Sequence, residues 1–243
     1  MIRLHVTGPL AEGQSVPLTR EQAHYLGNVM RLGPGAAVEA FDGASGGWRA
    51  TVADLSKRGG TLACVERVRP QRHPPDVWLL FAPIKKARTD FIVEKGVELG
   101  AARLVPVLTR HTNSERVRVD RLLAHAVEAA EQCGGTHVPE VAEPVRLDRL
   151  LDGWAGRALV FADETLSRDP DWAGPEGAGA AALPPPPAAI LVGPEGGFAP
   201  EERDRIRALP EAHPVALGPR ILRADTAAVA ALTLWQAARG DWS

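Results

Sequence analysis

Two glycine-containing stretches hold the residue types that could do chemistry. The first, "ILVGPEGGFAPEE" (190–202), breaks an apolar run into a turn with three glycines, two prolines and Glu195. It places Glu201 and Glu202 at the start of the next helix. The second, "ALGPRILRADTAAVAAL" (216–232), sets Leu217, Ile221 and Leu222 beside Arg220 and Arg223, with Asp225 in N-cap position for a helix of mainly small residues. Neither stretch has the Gly-x-Gly-x-x-Gly that opens a dinucleotide-binding helix or the Lys-Ser/Thr that ends a P-loop. A carboxylate beside a phosphate also costs energy by like-charge repulsion. Phosphate is therefore the wrong ligand. Glycine lets backbone N–H and C=O groups come close to a bound molecule, and carbonyls suit a positive centre. S-adenosylmethionine fits these terms: it needs backbone hydrogen bonds for adenine, an apolar slot, and a site tolerant of its positive sulfur.

Such loops need elements to hold them. From residue 76 onward, apolar strand candidates at 76–84, 103–109, 157–163, 188–193 and 214–218 alternate with helical stretches at 90–99, 120–133, 201–209 and 225–239. Near-continuous apolar strands alternating with helices predict a parallel sheet covered on both faces. Ligands of such sheets sit beyond the carboxyl ends of the strands, where both glycine stretches fall. Before residue 76 the pattern differs. Short strand candidates at 2–7, 38–42, 48–55 and 61–69 surround one helix, "TREQAHYLGNVM", with Thr19 and Gln22 spaced as a capping box. This part reads as a small, mostly β barrel or sandwich. The proline-rich "RPQRHPP" (69–75) is the seam between two domains, 1–72 and 73–243. The Ala/Gly/Pro-rich stretch from Thr165 to Pro187 reads as a surface loop or mobile segment. A second "GPEG" at 174–177 follows no apolar strand and is assigned no function.

The composition is ordinary for a globular protein, with 45% hydrophobic and 24% charged residues in 243. Net charge is −2, but residues 1–72 hold 9 Arg/Lys against 6 Asp/Glu while the remainder carries −5. A basic amino-terminal part on an acidic body suggests a local anionic partner. Cys64 and Cys133 lack metal or redox spacing and read as free thiols of a reducing cytoplasm. The seven histidines offer no ligand pair, so no metal is expected. No signal peptide or apolar run of spanning length is read, which points to a cytoplasmic protein without a membrane partner.

"LVGPEGGFAPEE" followed by "LGPRILRADTA" resembles the RsmE family, the 16S rRNA uridine-N3 methyltransferases of the SPOUT class. Further matches are "HYLGNVMRLGPGAAVEAFDG" (24–43), "IVEKGVELGAARLVPV" (92–107) and "EAAEQCGGTHVPEV" (128–141), so the resemblance spans nearly the whole chain. It implies a SPOUT-type α/β fold, a parallel sheet with a carboxy-terminal trefoil knot, behind a small amino-terminal PUA-like β-barrel that binds RNA. It implies a homodimer, 16S rRNA in the small ribosomal subunit as partner, and S-adenosylmethionine bound in the knot. On this chain the cofactor residues would be Leu191, Val192, Gly193, Glu195, Gly196 and Gly197 from the first loop, and Leu217, Gly218, Ile221, Leu222 and Ala227 from the second. Arg3, Arg20, Arg31 and Arg220 would meet RNA. Three positions depart from the family pattern. Where the family reads Arg-Thr-Glu-Thr-Ala this chain has Arg223-Ala224-Asp225-Thr226-Ala227, and Gly135 replaces a common arginine.

Uracil N3 carries a proton and is a poor nucleophile until that proton leaves. A guanidinium near the uracil oxygens would favour the anionic ring, and Arg223 is the first candidate. Glu195, ahead of Asp225, is the candidate proton acceptor; its plainer reading is a carboxylate that stiffens the turn. Two other functions are compatible with the sequence: a non-catalytic RNA- or ribosome-binding protein that keeps the fold, and a SPOUT methyltransferase for a different RNA.

Overall fold

The computed structural model describes residues 1–113, 117–168 and 183–243. Most of the Thr165–Pro187 stretch, and the second "GPEG" with it, lies outside the described residues. The chain forms two compact units, Met1–His73 with Ala130–Val138, and Pro74–Ala129 with Pro139–Ser243.

The first unit is a five-stranded sheet in the order β1-β3-β4-β5-β2, with β1 (Arg3–His5) parallel to β3 (Ala37–Phe41) and the other pairs antiparallel. β4 (Gly47–Ser56) and β5 (Gly59–Arg69) form its long hairpin. Alternate residues such as Leu4, Val38, Val52 and Leu62 turn inward onto Leu26 to make the core. β2 (Ser15–Leu18) was not expected from the sequence, because Pro17 interrupts it. It pairs only with β5, and an edge strand is where proline can sit. Thr19 and Gln22 do form a reciprocal capping box at α1 (Arg20–His24). The expected single helix then changes type, continuing as a π-helical turn over Tyr25–Val29.

In the second unit a parallel sheet runs β12-β10-β11-β6-β7-β8, and β9 also pairs with β7. Its centre is β6 (Val77–Phe81), β10 (Ala158–Ala162) and β11 (Ala188–Val192), apolar along their whole length because both faces are covered. Leu80, Val105, Leu159, Phe161 and Leu191 face α4 (Leu147–Asp152) and α5 (Pro200–Arg207) through Leu147, Leu151 and Ile206. The opposite face takes α2 (Lys86–Glu98) and α6 (Ala224–Arg239), which pack on each other. Gly96 of α2 lies so close to that face that a Cβ there would come within 2.8 Å of Leu104. The fold therefore comprises the expected α/β parallel sheet and a small β unit.

Several elements differ from expectation. β7 (Arg103–Leu108) contains Pro106, which falls between its pairing with β8 (Glu140–Val141) at Arg103 and Leu104 and with β9 (Val145–Arg146) at Val107 and Leu108. The missing N–H thus costs no ladder bond to either. β8 and β9 have two residues each, too short for a periodicity to show. β12 is Ala212–Val215, leaving Leu217 and Gly218 in the following loop, and α2 begins at Lys86, earlier than residue 90. No helix among the described residues is long and apolar enough to cross a membrane.

Candidate active site

The carboxyl ends of β10 and β11 open onto a cleft of about 320 Å³. Its first wall is the glycine loop. Gly197 N–H donates to Pro194 O (2.9 Å), and Gly197 adopts φ +67, a conformation that favours glycine. Phe198 anchors the loop in the core, edge-on to Phe161 at 5.1 Å. Glu202, in the first turn of α5, accepts from Ala199 N (3.0 Å) and from Arg110 N (2.8 Å) in the loop after β7. His111 Nδ1 lies 3.1 Å from Gly197 O. The acidic residues read as hostile to phosphate thus also fasten the loop.

The second wall is the loop between β12 and α6. Ile221, Leu222, Arg223, Ala224 and Ala227 face the cleft across from Val192, Gly193, Pro194, Glu195 and Gly197. A smaller chamber of about 40 Å³ adjoins it, bordered by Leu217 and Arg220 as well as Ile221 and Leu222. Most sequence-predicted cofactor residues therefore meet in one place. Three do not line it. Leu191 is buried in the sheet core, Gly196 turns toward His111, and Gly218 sits outside at φ +113.

Asp225 is not the N-cap. Arg223 holds that position with extended backbone, and no side chain caps the helix. Asp225 instead accepts from Arg88 Nη1 at 3.2 Å and from Thr226 N at 2.9 Å. Arg88 Nη1 also lies 3.9 Å from Glu195 Oε1, so one guanidinium joins both loops. Thr89 fixes the turn that presents it: the buried hydroxyl accepts from Ile84 N (2.9 Å) and donates to Ile84 O (3.0 Å). Arg223 itself is exposed, and its side chain makes no hydrogen bond or ion pair among the described residues.

Two residues at the cleft escaped the sequence reading. Arg88 gave no local signal, because its partners lie more than a hundred positions away. Glu164 had one: it ends the apolar run "ALVFADE", and the end of a parallel strand is where ligands sit. Glu164 accepts from Arg203 Nη2 at 2.9 Å. Next to it Asp163 is wholly buried, with Arg207 Nε at 3.0 Å, Arg203 Nε at 3.5 Å and the Thr165 hydroxyl at 2.7 Å.

In the first unit, Arg20 borders a groove of about 750 Å³ together with His24, Asn28 and Lys57. Arg31 is exposed and stands at φ +56. Arg3 is different. Its side chain is 9% exposed and pairs with Glu39 at 3.1 Å. It also donates to Ala130 O (2.7 Å), Glu131 O (3.1 Å) and Gly135 O, capping carbonyls left over at the end of α3 (Val119–Cys133). The expectation of an RNA contact at Arg3 fails because the guanidinium is buried and held by Glu39 and three backbone carbonyls.

The RNA methyltransferase domain family matches residues 71–236, and the RNA methyltransferase PUA domain family matches residues 18–62. The ribosomal RNA small subunit methyltransferase E of Synechocystis is 34% identical over 223 residues, covering 90% of this chain and 71% of that protein. The chain belongs to the ribosomal RNA small subunit methyltransferase E family. The Rickettsia conorii protein of the same name is 25% identical over 95% of this chain and 93% of its own. Among solved structures, a Legionella pneumophila protein with bound S-adenosylmethionine superposes with TM-score 0.87 at 28% identity, over 99% of this chain and 98% of that one. The Neisseria gonorrhoeae methyltransferase E bound to S-adenosylmethionine gives 0.85 at 26% identity, over all of both chains.

Proposed function

We propose that this protein transfers a methyl group from S-adenosylmethionine to N3 of a uridine in 16S rRNA of the small ribosomal subunit. The observation that carries the reading is the cleft at the carboxyl edge of the sheet, in a chain of the methyltransferase E family. The cleft suits that cofactor. Its walls are mostly apolar side chains and glycine backbone with Arg223 at the rim, and the Glu195 carboxylate among them favours a cation over a phosphate. Val192, Gly193, Gly197, Leu217, Ile221, Leu222 and Ala227 would hold it. Bound there, S-adenosylmethionine supplies a methyl group activated by its positive sulfur.

The protein's own work is then positioning and charge. The two loops fix the direction from which uracil N3 must approach. Arg223, at the rim with its donors uncommitted, stabilises negative charge on the uracil oxygens as N3 loses its proton. Glu195 accepts that proton. Arg20, Arg31 and Arg220 meet the RNA backbone, with residues 1–72 as the docking domain. The same reading includes a carboxy-terminal knot, a homodimer and a cytoplasmic location.

Titration calorimetry tests the ligand. S-adenosylmethionine binds, while ATP and NAD do not. ATP binding in the absence of any sulfonium binding would overturn the reading.

A further inference from the structure

The two chambers of the cleft meet at Glu164. Four residues border both, and of these Ile221, Leu222 and Ala227 are apolar; Glu164 alone brings a polar side chain to the waist. The carboxylate is held there. Its Oε1 accepts from Arg203 Nη2 (2.9 Å), and Arg203 is itself fixed by Phe198 O (3.1 Å) and by the buried Asp163. Gly197 makes room for it, since a Cβ at that position would stand 2.4 Å from Glu164 Oε1. Oε2 makes no hydrogen bond among the described residues, and the side chain is 26% exposed.

A rigid carboxylate with one uncommitted oxygen, in an otherwise apolar waist, is an acceptor waiting for O–H or N–H donors. The nucleoside of the proposed function has a base on one side of its sugar and an amino-acid chain on the other. Seated in the larger chamber with base and amino-acid chain to either side, it can bring its sugar to the waist. The donors a ribose offers are its 2′- and 3′-hydroxyls. An acid at a strand end meets ribose hydroxyls in the same way in dinucleotide-binding sheets. We infer that Glu164 recognises the ribose diol of the cofactor and is the residue by which the cleft selects a ribonucleoside. This rests on the S-adenosylmethionine reading of the cleft.

The competing role is charge: Glu164 could instead face the positive sulfur. Calorimetry on the full-length protein separates the two, with S-adenosylmethionine, S-adenosylhomocysteine (same diol, neutral sulfur) and the 2′,3′-dideoxy form of S-adenosylhomocysteine as ligands. The wild-type protein should bind the dideoxy compound about 10- to 100-fold more weakly than S-adenosylhomocysteine, the scale of hydrogen bonds to a charged group. Glu164→Ala should weaken S-adenosylmethionine and S-adenosylhomocysteine alike and leave the dideoxy compound nearly unchanged. Equal binding of the diol and dideoxy compounds by the wild type would overturn the inference without any variant needing to fold. A Glu164→Ala loss confined to S-adenosylmethionine would overturn it in favour of the charge role. If the wild type bound none of the three, the cofactor reading itself would fall, and the role of Glu164 with it.

Discussion

Arg88 Nη1 stands 3.2 Å from Asp225 Oδ2, joining the first turn of α2 to the first turn of α6 across 137 positions of sequence. Because the same nitrogen lies 3.9 Å from Glu195, the pair also tethers the glycine loop. Partly exposed ion pairs contribute only about 0.2–1 kcal/mol to stability, yet loop misplacement of an ångström can cost a hundredfold in rate. Arg88→Ala should therefore lower kcat about tenfold or more, with a small change in Tm. Arg88→Lys should recover part of the rate, since an ammonium keeps the charge but not the reach and fixed planar geometry of the guanidinium. Single-turnover methyl transfer and thermal unfolding on the three proteins check this. A large Tm loss with an unchanged rate would make the pair structural.

Arg223→Ala should bind cofactor nearly as the wild type does and lose methyl transfer by a factor on the order of 10²–10³, the scale for removal of an oxyanion donor. Arg223→Lys should rescue little. A near-normal rate with weakened RNA binding would move Arg223 from chemistry to docking.

Much of this site could be read from local pattern. β6, β10 and β11 are apolar along their length, and the glycines and apolar residues of the two loops have their spacing written in sequence. What could not be read depends on distant neighbours. Arg88 and Glu195 are brought together only by the sheet. Arg3 looks like any surface arginine until α3 ends against it. Asp225 resembles a cap because Asp is a common N-cap, but the helix starts at Ala224, and the acid goes to Arg88 instead. β2 was hidden by Pro17, whose edge position is a property of the sheet.

The arginines of the first unit should separate. Arg3→Ala removes a partner of buried Glu39 and leaves α3 carbonyls unpaired, so it should destabilise the protein by about 3 kcal/mol in urea denaturation. Arg31→Gly should leave stability unchanged or raise it by about 1 kcal/mol, because glycine relieves the left-handed backbone at φ +56. Yet it should weaken binding to small-subunit RNA and reduce its salt dependence.

The "FDGAS" turn supplies a pH signature. Burial works to raise the Asp42 carboxyl, but hydrogen bonds from Ser45 N, Ala44 N and the Ser45 hydroxyl outweigh it and leave it below its ordinary value of 3.8. A depressed folded value means the stabilisation is complete above 3.8 and is lost as pH falls through the folded value. Asp42→Ala should cost about 1–2 kcal/mol at pH 7. The gap between variant and wild type should close as denaturation is followed below pH 3.8.

The most direct test of the account is the position of the methyl group. Small-subunit RNA from a strain lacking this gene is incubated with the purified protein and S-adenosylmethionine, digested to nucleosides and read by mass spectrometry, with mapping of the modified fragment. The account predicts a single 3-methyluridine in 16S rRNA, absent before incubation and absent without cofactor. A methyl group on a ribose or another base, or no methylation of RNA to which the protein demonstrably binds, would contradict it.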